Sequence, residues 1–514
     1  MTSVRVQTDD THAPLYRAIL DAPLMSAAGI FLVDHSADVD ILCCLHGHGT
    51  SDLMRDRNHP VLLVGTPDAT EPWSVSPPHE IRLRAKPLGE NQDVLVFDRV
   101  MSLPPSQGTP LITANIGFTD ICVASVRDDM RLATLGVGLE PETWKRTEFL
   151  RLVHRLLHRL VETPTTPAMR VGLLGYGAIG HEHAKAIADT SGLTLSTVCD
   201  TSQERLDAAK TYSAGVATTL SSEELVEADD VDIVVVSTPP VTHAEWAIRL
   251  LESGKHVVLE KPMALTSAEC DRVLKTAEDN GLLAVVYQNR RFDSDFRALQ
   301  NLIYAGELGD VFHLEAFIGR FSHPCNYWHS DAAISGGALF DWGSHIIDQI
   351  LQLMPGNIES VSARNQKLVW HDVTNADHAR MTLHYSDGRE ATFIYSDIAA
   401  ALKPRWYVAG TRGGVIGSWR HERVVGRSAI GTLYEDPLDP ADSPPRLTLY
   451  SADGRITEVP GAPAPPAAFH AELADYFRIG LPMTVRAEES RRVVALLEAA
   501  EISALDNGSP IKVS

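Results

Sequence analysis

The chain has 514 residues, too many for one ordinary core at about 150 residues per domain, so it reads as roughly three packed units. With 44% hydrophobic and 22% charged residues it has the composition of a globular protein, and no apolar run reaches the ~18 residues of a membrane span. Its 67 acidic against 45 basic residues give a formal net charge of −22, which repels phosphate backbones and anionic membranes and disfavours nucleic acid as a partner. The opening MTSVRVQTDDTHAP shows no export or organelle signal pattern, so a cytoplasmic location is expected. Cys43, Cys44, Cys122, Cys199, Cys270 and Cys325 have no CxxC spacing, and several sit in apolar stretches, which points to reduced, buried thiols.

In chain order, apolar runs at Gly29–Val33, Val39–Leu45, Val61–Val64 and Val94–Phe97 predict a first α/β layer domain of flavodoxin-like type over residues 1–165. Cys43 and Cys44 fall within one of these strands, and His46-Gly47-His48-Gly49 reads as a strand-end loop and not as a metal site. A glutaminase would need a cysteine on a Gly-x-Cys-x-Gly elbow, and the sequence has none. A helical pattern from Phe149 to Val161 then runs into Glu162-Thr-Pro-Thr-Thr-Pro-Ala168, whose two prolines mark a linker.

From residue 169 to about 290, strand and helix patterns alternate, which implies a parallel, doubly wound sheet. The strand Arg170–Leu174 leads directly into Gly175-Tyr176-Gly177-Ala178-Ile179-Gly180, and a helical pattern follows. Strand, glycines and helix in this order form a dinucleotide fingerprint: a tight turn, close approach of backbone to pyrophosphate, and helix packing on the strand. A second strand, Leu193–Asp200, ends in an acid placed to hydrogen-bond the adenosine ribose 2′-hydroxyl, which favours NAD. NADP stays open, because Gln203 or Arg205 could override that acid. His181 and His183 are expected to pack or face solvent, and no metal is assigned.

Two later segments carry chemistry. Apolar Val234–Val236 ends in Ser237-Thr238-Pro239-Pro240 with His243 beyond, and Gly254–Leu259 ends in Glu260-Lys261-Pro262. Further on, Ser335-Gly-Gly-Ala-Leu-Phe-Asp341-Trp-Gly-Ser-His345-Ile-Ile-Asp348 puts an acid and an imidazole at i and i+4, on one helical face. A histidine with near-neutral pKa suits proton transfer from a secondary alcohol, so His345 is the expected general acid/base. Lys261, at the carboxyl end of a sheet strand, can stabilise the developing alkoxide, and Asp341 can bind a neighbouring hydroxyl or orient His345. Asp348 suits a structural hydrogen bond or a cap at least as well as chemistry. Tyr327, Trp328 and His329 either stack on a sugar ring or pack. Longer strands of alternating polarity follow from residue 310, such as Val311–Gly319 and Ala379–Tyr385 with a turn at Ser386–Arg389, and they predict an α+β domain over 291–514 with a mostly antiparallel open sheet. The Pro-, Gly- and Asp-rich stretch 420–466 reads as long hairpins, and helices at Ala468–Ile479 and Glu488–Asp506 close the chain.

Together the Thr-Pro turn, the Glu-Lys-Pro segment and the Gly-Gly-x-Leu-x-Asp-x-Gly-x-His-x-x-Asp pattern make residues 169–514 resemble the glucose–fructose oxidoreductase / inositol dehydrogenase / MocA family. The resemblance implies a Rossmann domain binding NAD(P) through Gly175, Gly177, Ala178, Ile179, Gly180, Asp200, Thr238, Pro239, His243, Glu260 and Lys261. It implies a carbohydrate or cyclitol substrate, Lys261, His345 and Asp341 as the catalytic set, and a homodimer or homotetramer. The close of the first domain, Arg131–Gly136 through Trp144 to the 149–161 helix, is similar to the trehalose-utilisation ThuA-type domains, relatives of class I glutamine amidotransferases. By association that leans the substrate toward a glycoside or 3-keto sugar. The expected reaction is hydride transfer at a ring carbon; a redox-neutral NAD-dependent glycosidase or epimerase and a non-catalytic nucleotide sensor are the alternatives.

Overall fold

The computed structural model describes residues 167–325, 327–419, 445–462 and 467–513, the strands between residues 4 and 136 and at 424–436, and single positions of the segment 149–156. It contains two compact units, Met1–Ala168 with His470–Thr484, and Met169–Phe469 with Val485–Ser514.

The first unit holds a nine-stranded sheet of β1 (Val4–Thr8), β2 (Ile30–Leu32), β3 (Ile41–Leu45), β4 (Val61–Val64), β5 (His79–Arg84), β6 (Asp93–Asp98), β7 (Thr109–Ile116), β8 (Thr119–Arg127) and β9 (Leu132–Leu135). The strands run in the order β2-β1-β3-β4-β9-β8-β7-β5-β6. The first five are parallel and follow the flavodoxin-like order. Strands β8, β7, β5 and β6 extend the sheet antiparallel, a feature the βα reading of Val94–Phe97 lacks. The reason is local: the connections Arg84 to Asp93 and Ile116 to Thr119 are too short for the crossover that a parallel pair needs. Leu83, Ala114, Val123, Leu135, Phe149 and Leu156 are buried in this unit, and Arg155 pairs with Asp475 at 2.5 Å. Residues 162–166 of the linker proposed at 162–168, the His46–Gly49 loop and most of the segment behind the trehalose-utilisation resemblance lie outside the described residues.

The second unit opens with β10 (Met169–Leu174), β11 (Leu193–Cys199), β12 (Ala217–Thr219), β13 (Ile233–Val236), β14 (His256–Leu259) and β15 (Ala284–Val286), all parallel, in the order β12-β11-β10-β13-β14-β15. That is the doubly wound Rossmann order, with its switch point between β10 and β13. Continuous burial of β13 explains its unbroken Ile-Val-Val-Val run. Helices α1 (Ala178–Ala188), α2 (Gln203–Tyr212), α3 (Ser222–Glu227), α4 (His243–Glu252) and α5 (Ser267–Asn280) alternate with these strands. Ser202 caps α2, and a Thr266–Glu269 capping box opens α5.

After α6 (Ser294–Tyr304) comes a second sheet: β16 (Val311–Gly319), β17 (Ile358–Gln366), β18 (His378–Tyr385), β19 (Glu390–Ser396), β20 (Trp406–Gly410), β21 (Gly413–Ser418), β24 (Arg446–Ser451), β25 (Ile456–Val459) and β26 (Ile511–Lys512), with a separate hairpin of β22 (Val424–Arg427) and β23 (Leu433–Asp436). Its pairings are antiparallel except β16 with β19. Between β16 and β17 lie α7 (Ala332–Ser335) and α8 (Ala338–Leu353); α9 (Ala468–Ile479) and α10 (Ala487–Leu505) close the chain. Helices α8 and α10 pack on each other and on the sheet. Helix α8 is buried almost all round and opens to solvent chiefly at Asp341 and Trp342.

Among the cysteines, Cys199 and Cys270 are buried, and burial raises their pKa values to about 11 and about 12. Cys122 and Cys325 are only partly buried.

Candidate active site

The nucleotide wall is made of backbone. Gly175 takes φ +100°, and a Cβ there would lie 2.6 Å from the Ser237 carbonyl oxygen; a Cβ on Gly180 would collide with the carbonyl of Gly175. Gly177 faces open space and starts α1 with no side-chain cap, so the helix N-terminus offers N–H groups to an anion. This cradle fits a pyrophosphate. Asp200 stands at the end of β11 and is 5% exposed; its carboxylate accepts from the Tyr176 N–H at 2.7 Å and the Ser202 N–H at 2.8 Å. The acid therefore ties the glycine loop to the start of α2. Arg205 Nη1 reaches it at 3.4 Å and is itself largely exposed.

The next strand ends carry the Thr-Pro and Glu-Lys-Pro turns. Thr238 Oγ1 lies 2.8 Å from Thr242 Oγ1, and Pro239 precedes a short 3₁₀ turn, Pro240–Thr242. His243 is buried, its Nδ1 2.8 Å from the Pro262 carbonyl and its Nε2 2.8 Å from the Thr238 carbonyl. Burial lowers its pKa against the pull of those two carbonyls. Glu260, also buried, holds His183 Nε2 at 3.0 Å with one oxygen and accepts the Lys261 N–H at 3.1 Å with the other.

The amine of Lys261 donates to Asp341 Oδ1 at 2.7 Å and to the Asp341 carbonyl at 3.1 Å. The structure thus brings together two residues eighty positions apart, where the first turn of α8 opens to solvent. Burial works against the Asp341 charge, but Lys261, His329 and Arg290 outweigh it and bring its pKa to about 2. One turn along the same face, His345 is 7% exposed, and its Nδ1 has no hydrogen-bond partner among the described residues. Burial first, then the cations Lys261, Arg290 and Arg405, hold the His345 pKa well below the ordinary histidine value, so the ring is neutral at pH 7.

Asp348 points elsewhere: Arg291 grips both its oxygens at 2.6 Å, and the same guanidinium reaches Glu489 at 2.9 Å. This seals α8 against α10 and the turn at Asn289–Phe292. His181 meets the Tyr176 hydroxyl at 3.1 Å while His183 meets Glu260, so the two histidines go to separate partners. Among the described residues no group of three His, Cys, Asp or Glu is placed to hold a metal.

Sequence reasoning leaves the places of Arg290, Tyr395 and Asp397 beside the site undetected, and it leaves His329 open between stacking on a sugar ring and packing. Arg290 lies over the Trp342 ring at 4.5 Å. His329 stacks on Trp328 at 3.7 Å; its pKa is lowered by burial first, and the charges of Asp341 and Lys261 reach it. The Tyr395 hydroxyl donates to Asp397 at 2.9–3.0 Å, and the charge of Asp341 reaches both groups. Strand alternation marks the face of Tyr395 in β19 and says nothing about its partner, while Arg290 and His329 lie in short 3₁₀ turns that carry no periodic pattern; only the histidine beside two aromatics at 327–329 gives a local signal.

Two family profiles match the second unit: an oxidoreductase family with NAD-binding Rossmann fold over residues 169–288, and the GFO/IDH/MocA C-terminal domain over residues 296–416. The chain belongs to the Gfo/Idh/MocA oxidoreductase family. It is 28% identical over 338 residues to scyllo-inositol 2-dehydrogenase (NADP(+)) IolW of Bacillus subtilis, covering 65% of this chain and 92% of the relative. A glycosyl hydrolase family 109 protein of Shewanella baltica is 30% identical over 313 residues, 53% of this chain and 68% of the relative. The crystal structure of an NAD-binding protein from Listeria innocua superposes with a TM-score of 0.58 at 26% identity, over 67% of this chain and 96% of that one. This Gfo/Idh/MocA member is accordingly an NAD(P)-dependent oxidoreductase acting on CH–OH groups. No helix among its described residues is long and apolar enough to cross a membrane.

Proposed function

We propose that the protein moves hydride between a nicotinamide and a ring carbon of a sugar, glycoside or cyclitol, with Lys261, His345 and Asp341 as its catalytic residues. The observation that carries this reading is the Lys261–Asp341 pair at 2.7 Å, one helical turn from a buried, neutral His345 with an orphaned ring nitrogen. A nicotinamide held in this cleft would supply the hydride acceptor for alcohol oxidation or the hydride donor for ketone reduction. In the oxidative direction His345 accepts the hydroxyl proton, which a neutral ring can do and an imidazolium cannot. Lys261 Nζ donates to the same oxygen and offsets its charge as the proton leaves. Asp341 holds the ammonium in place and has a second oxygen for a neighbouring hydroxyl.

Gly175, Gly177, Ala178, Ile179 and Gly180 would cradle the pyrophosphate, and Thr238 with Pro239 would line the path to the nicotinamide. His243 and Glu260 would serve by holding that path and the Lys261 backbone. Residues 169–290 would then be the nucleotide domain, 291–514 the substrate and oligomer domain, and 1–165 a separate module. Asp200 favours the unphosphorylated ribose of NAD, while Arg205 beside it offers a cation to the 2′-phosphate of the NADP that IolW is named for. A 3-keto glycoside is the favoured substrate class by association with the first domain. The open face of the second sheet, where Tyr407, Tyr450 and Ile456 are exposed, supports a homodimer or homotetramer.

The test is a panel of cyclitols, sugars, glycosides and keto sugars, with reduced nicotinamide followed by absorbance. Stoichiometric reduction with a cyclitol or sugar is the expected result, and no turnover on any polyol or ketone would sink the proposal. The Shewanella baltica relative favours one second reading, redox-neutral glycoside cleavage. Release of the aglycone with no net reduced nicotinamide would select it.

A further inference from the structure

We propose that His183 is a positioning residue through which a dinucleotide seated at the start of α1 fixes the backbone of Lys261. His183 lies in the second turn of α1, the helix that opens on the glycine loop, and it is 0% exposed. Its Nε2 stands 3.0 Å from Glu260 Oε1, and Glu260 Oε2 accepts the Lys261 N–H at 3.1 Å. One buried carboxylate therefore joins the phosphate-binding helix to the peptide group of the proposed catalytic lysine. A buried carboxylate is costly unless its oxygens are satisfied, so Glu260 keeps both bonds wherever geometry allows.

The imidazole is braced against Tyr287 at 4.3 Å between ring centroids, and the Tyr287 N–H is bound to the Leu259 carbonyl at 2.7 Å, next to Glu260. His243, at the start of α4, binds the Pro262 and Thr238 carbonyls. Of the two histidines that flank Lys261, only His183 belongs to the helix whose N-terminus faces the pyrophosphate. A helix moves as a rigid body, so anion binding at its first turn is felt at His183 and passes through Glu260 to Lys261.

The experiment reads the loop and the cofactor separately. NAD affinity is measured by titration, and exchange of the Lys261 backbone amide is followed by NMR with and without NAD, in the wild type, His183→Leu and His183→Gln. NAD is expected to slow exchange at Lys261 by about fivefold or more in the wild type, the scale of a typical coupling between sites. His183→Leu should bind NAD within about threefold of the wild type yet lose that slowing, because the coupling and not the cradle is broken. His183→Gln, whose amide can stand in for Nε2, should restore it. Should the Leu variant not fold, His183→Asn replaces it, being too short to reach Glu260. Undiminished slowing in His183→Leu or His183→Asn overturns the proposal, and so does loss of slowing in step with loss of NAD affinity. The inference rests on dinucleotide binding by this domain, which the wild-type titration reports on its own.

Discussion

Helix α8 carries two aspartates that differ in almost every respect except side chain. Asp341, in the first turn, is paired with a lysine, keeps a third of its side chain exposed and has its pKa lowered to about 2 despite the cost of burial. Asp348, two turns on, is gripped by both arms of Arg291 with side-chain exposures of 2% and 4%, and burial raises its pKa in spite of that partner. The first carboxylate stays charged at an opening, beside the helix N-terminus and several cations; the second is a sealed pair whose desolvation outweighs its attraction. An ion pair that leaves hydrogen-bonding capacity at a cleft is suited to a substrate, and one that uses up every oxygen in the core is suited to holding helices together.

Breaking the sealed pair should produce the largest change. Arg291→Met leaves Asp348 and Glu489 without their shared cation, and it is expected to cost about 3–5 kcal/mol of stability by denaturant titration. Lys261→Ala should leave the unfolding free energy from the same titration within about 1 kcal/mol of wild type, because a partly exposed pair contributes little. On the substrate found by the panel, Lys261→Ala should lower kcat/KM by roughly 10²–10³-fold, the loss seen when one donor to a developing oxyanion is removed. If Lys261→Ala unfolds the protein while Arg291→Met is tolerated, the division between an open, chemical pair and a sealed, structural one is wrong.

The sequence exposes the two regions to different depths. The nucleotide wall is nearly all local: Gly175 through Gly180, the strand before and the helix after sit in one stretch, and the Rossmann strand order follows from the alternation of short buried strands and helices. Asp341 and His345 are also legible, because their spacing is helical. Their partners are not. That Lys261 meets Asp341, that Arg291 takes Asp348, and that Tyr395 and Asp397 come within reach of Asp341 depend on how strands and helices stack, and no spacing along the chain encodes those contacts. Glu260 shows the same limit: its motif marks the position, while its bond to His183 is a tertiary fact. In the first unit the parallel strands are legible as apolar runs, whereas the antiparallel extension through β5 to β8 depends on connection lengths that the apolar pattern does not weigh.

The smallest effect, and the sharpest probe of the open end of α8, is the response to pH. His345 has its pKa held well below the ordinary value, first by burial and then by neighbouring cations. In the unfolded chain it titrates near 6.5, so below about pH 6.5 the unfolded state binds a proton that the folded state refuses. Stability contributed through His345 is therefore complete above about pH 6.5 and is lost as pH falls from there toward the folded value. Alcohol oxidation runs the same way for a different reason: the ring stays a competent base until it is protonated, so the acidic limb of the rate profile should lie below pH 6.5. His345→Gln should remove that stability slope and lower the rate at every pH. An acidic limb at or above 6.5 in the wild type would mean that burial and the cations Lys261, Arg290 and Arg405 do not govern this ring, and the proton would have to be assigned to another group.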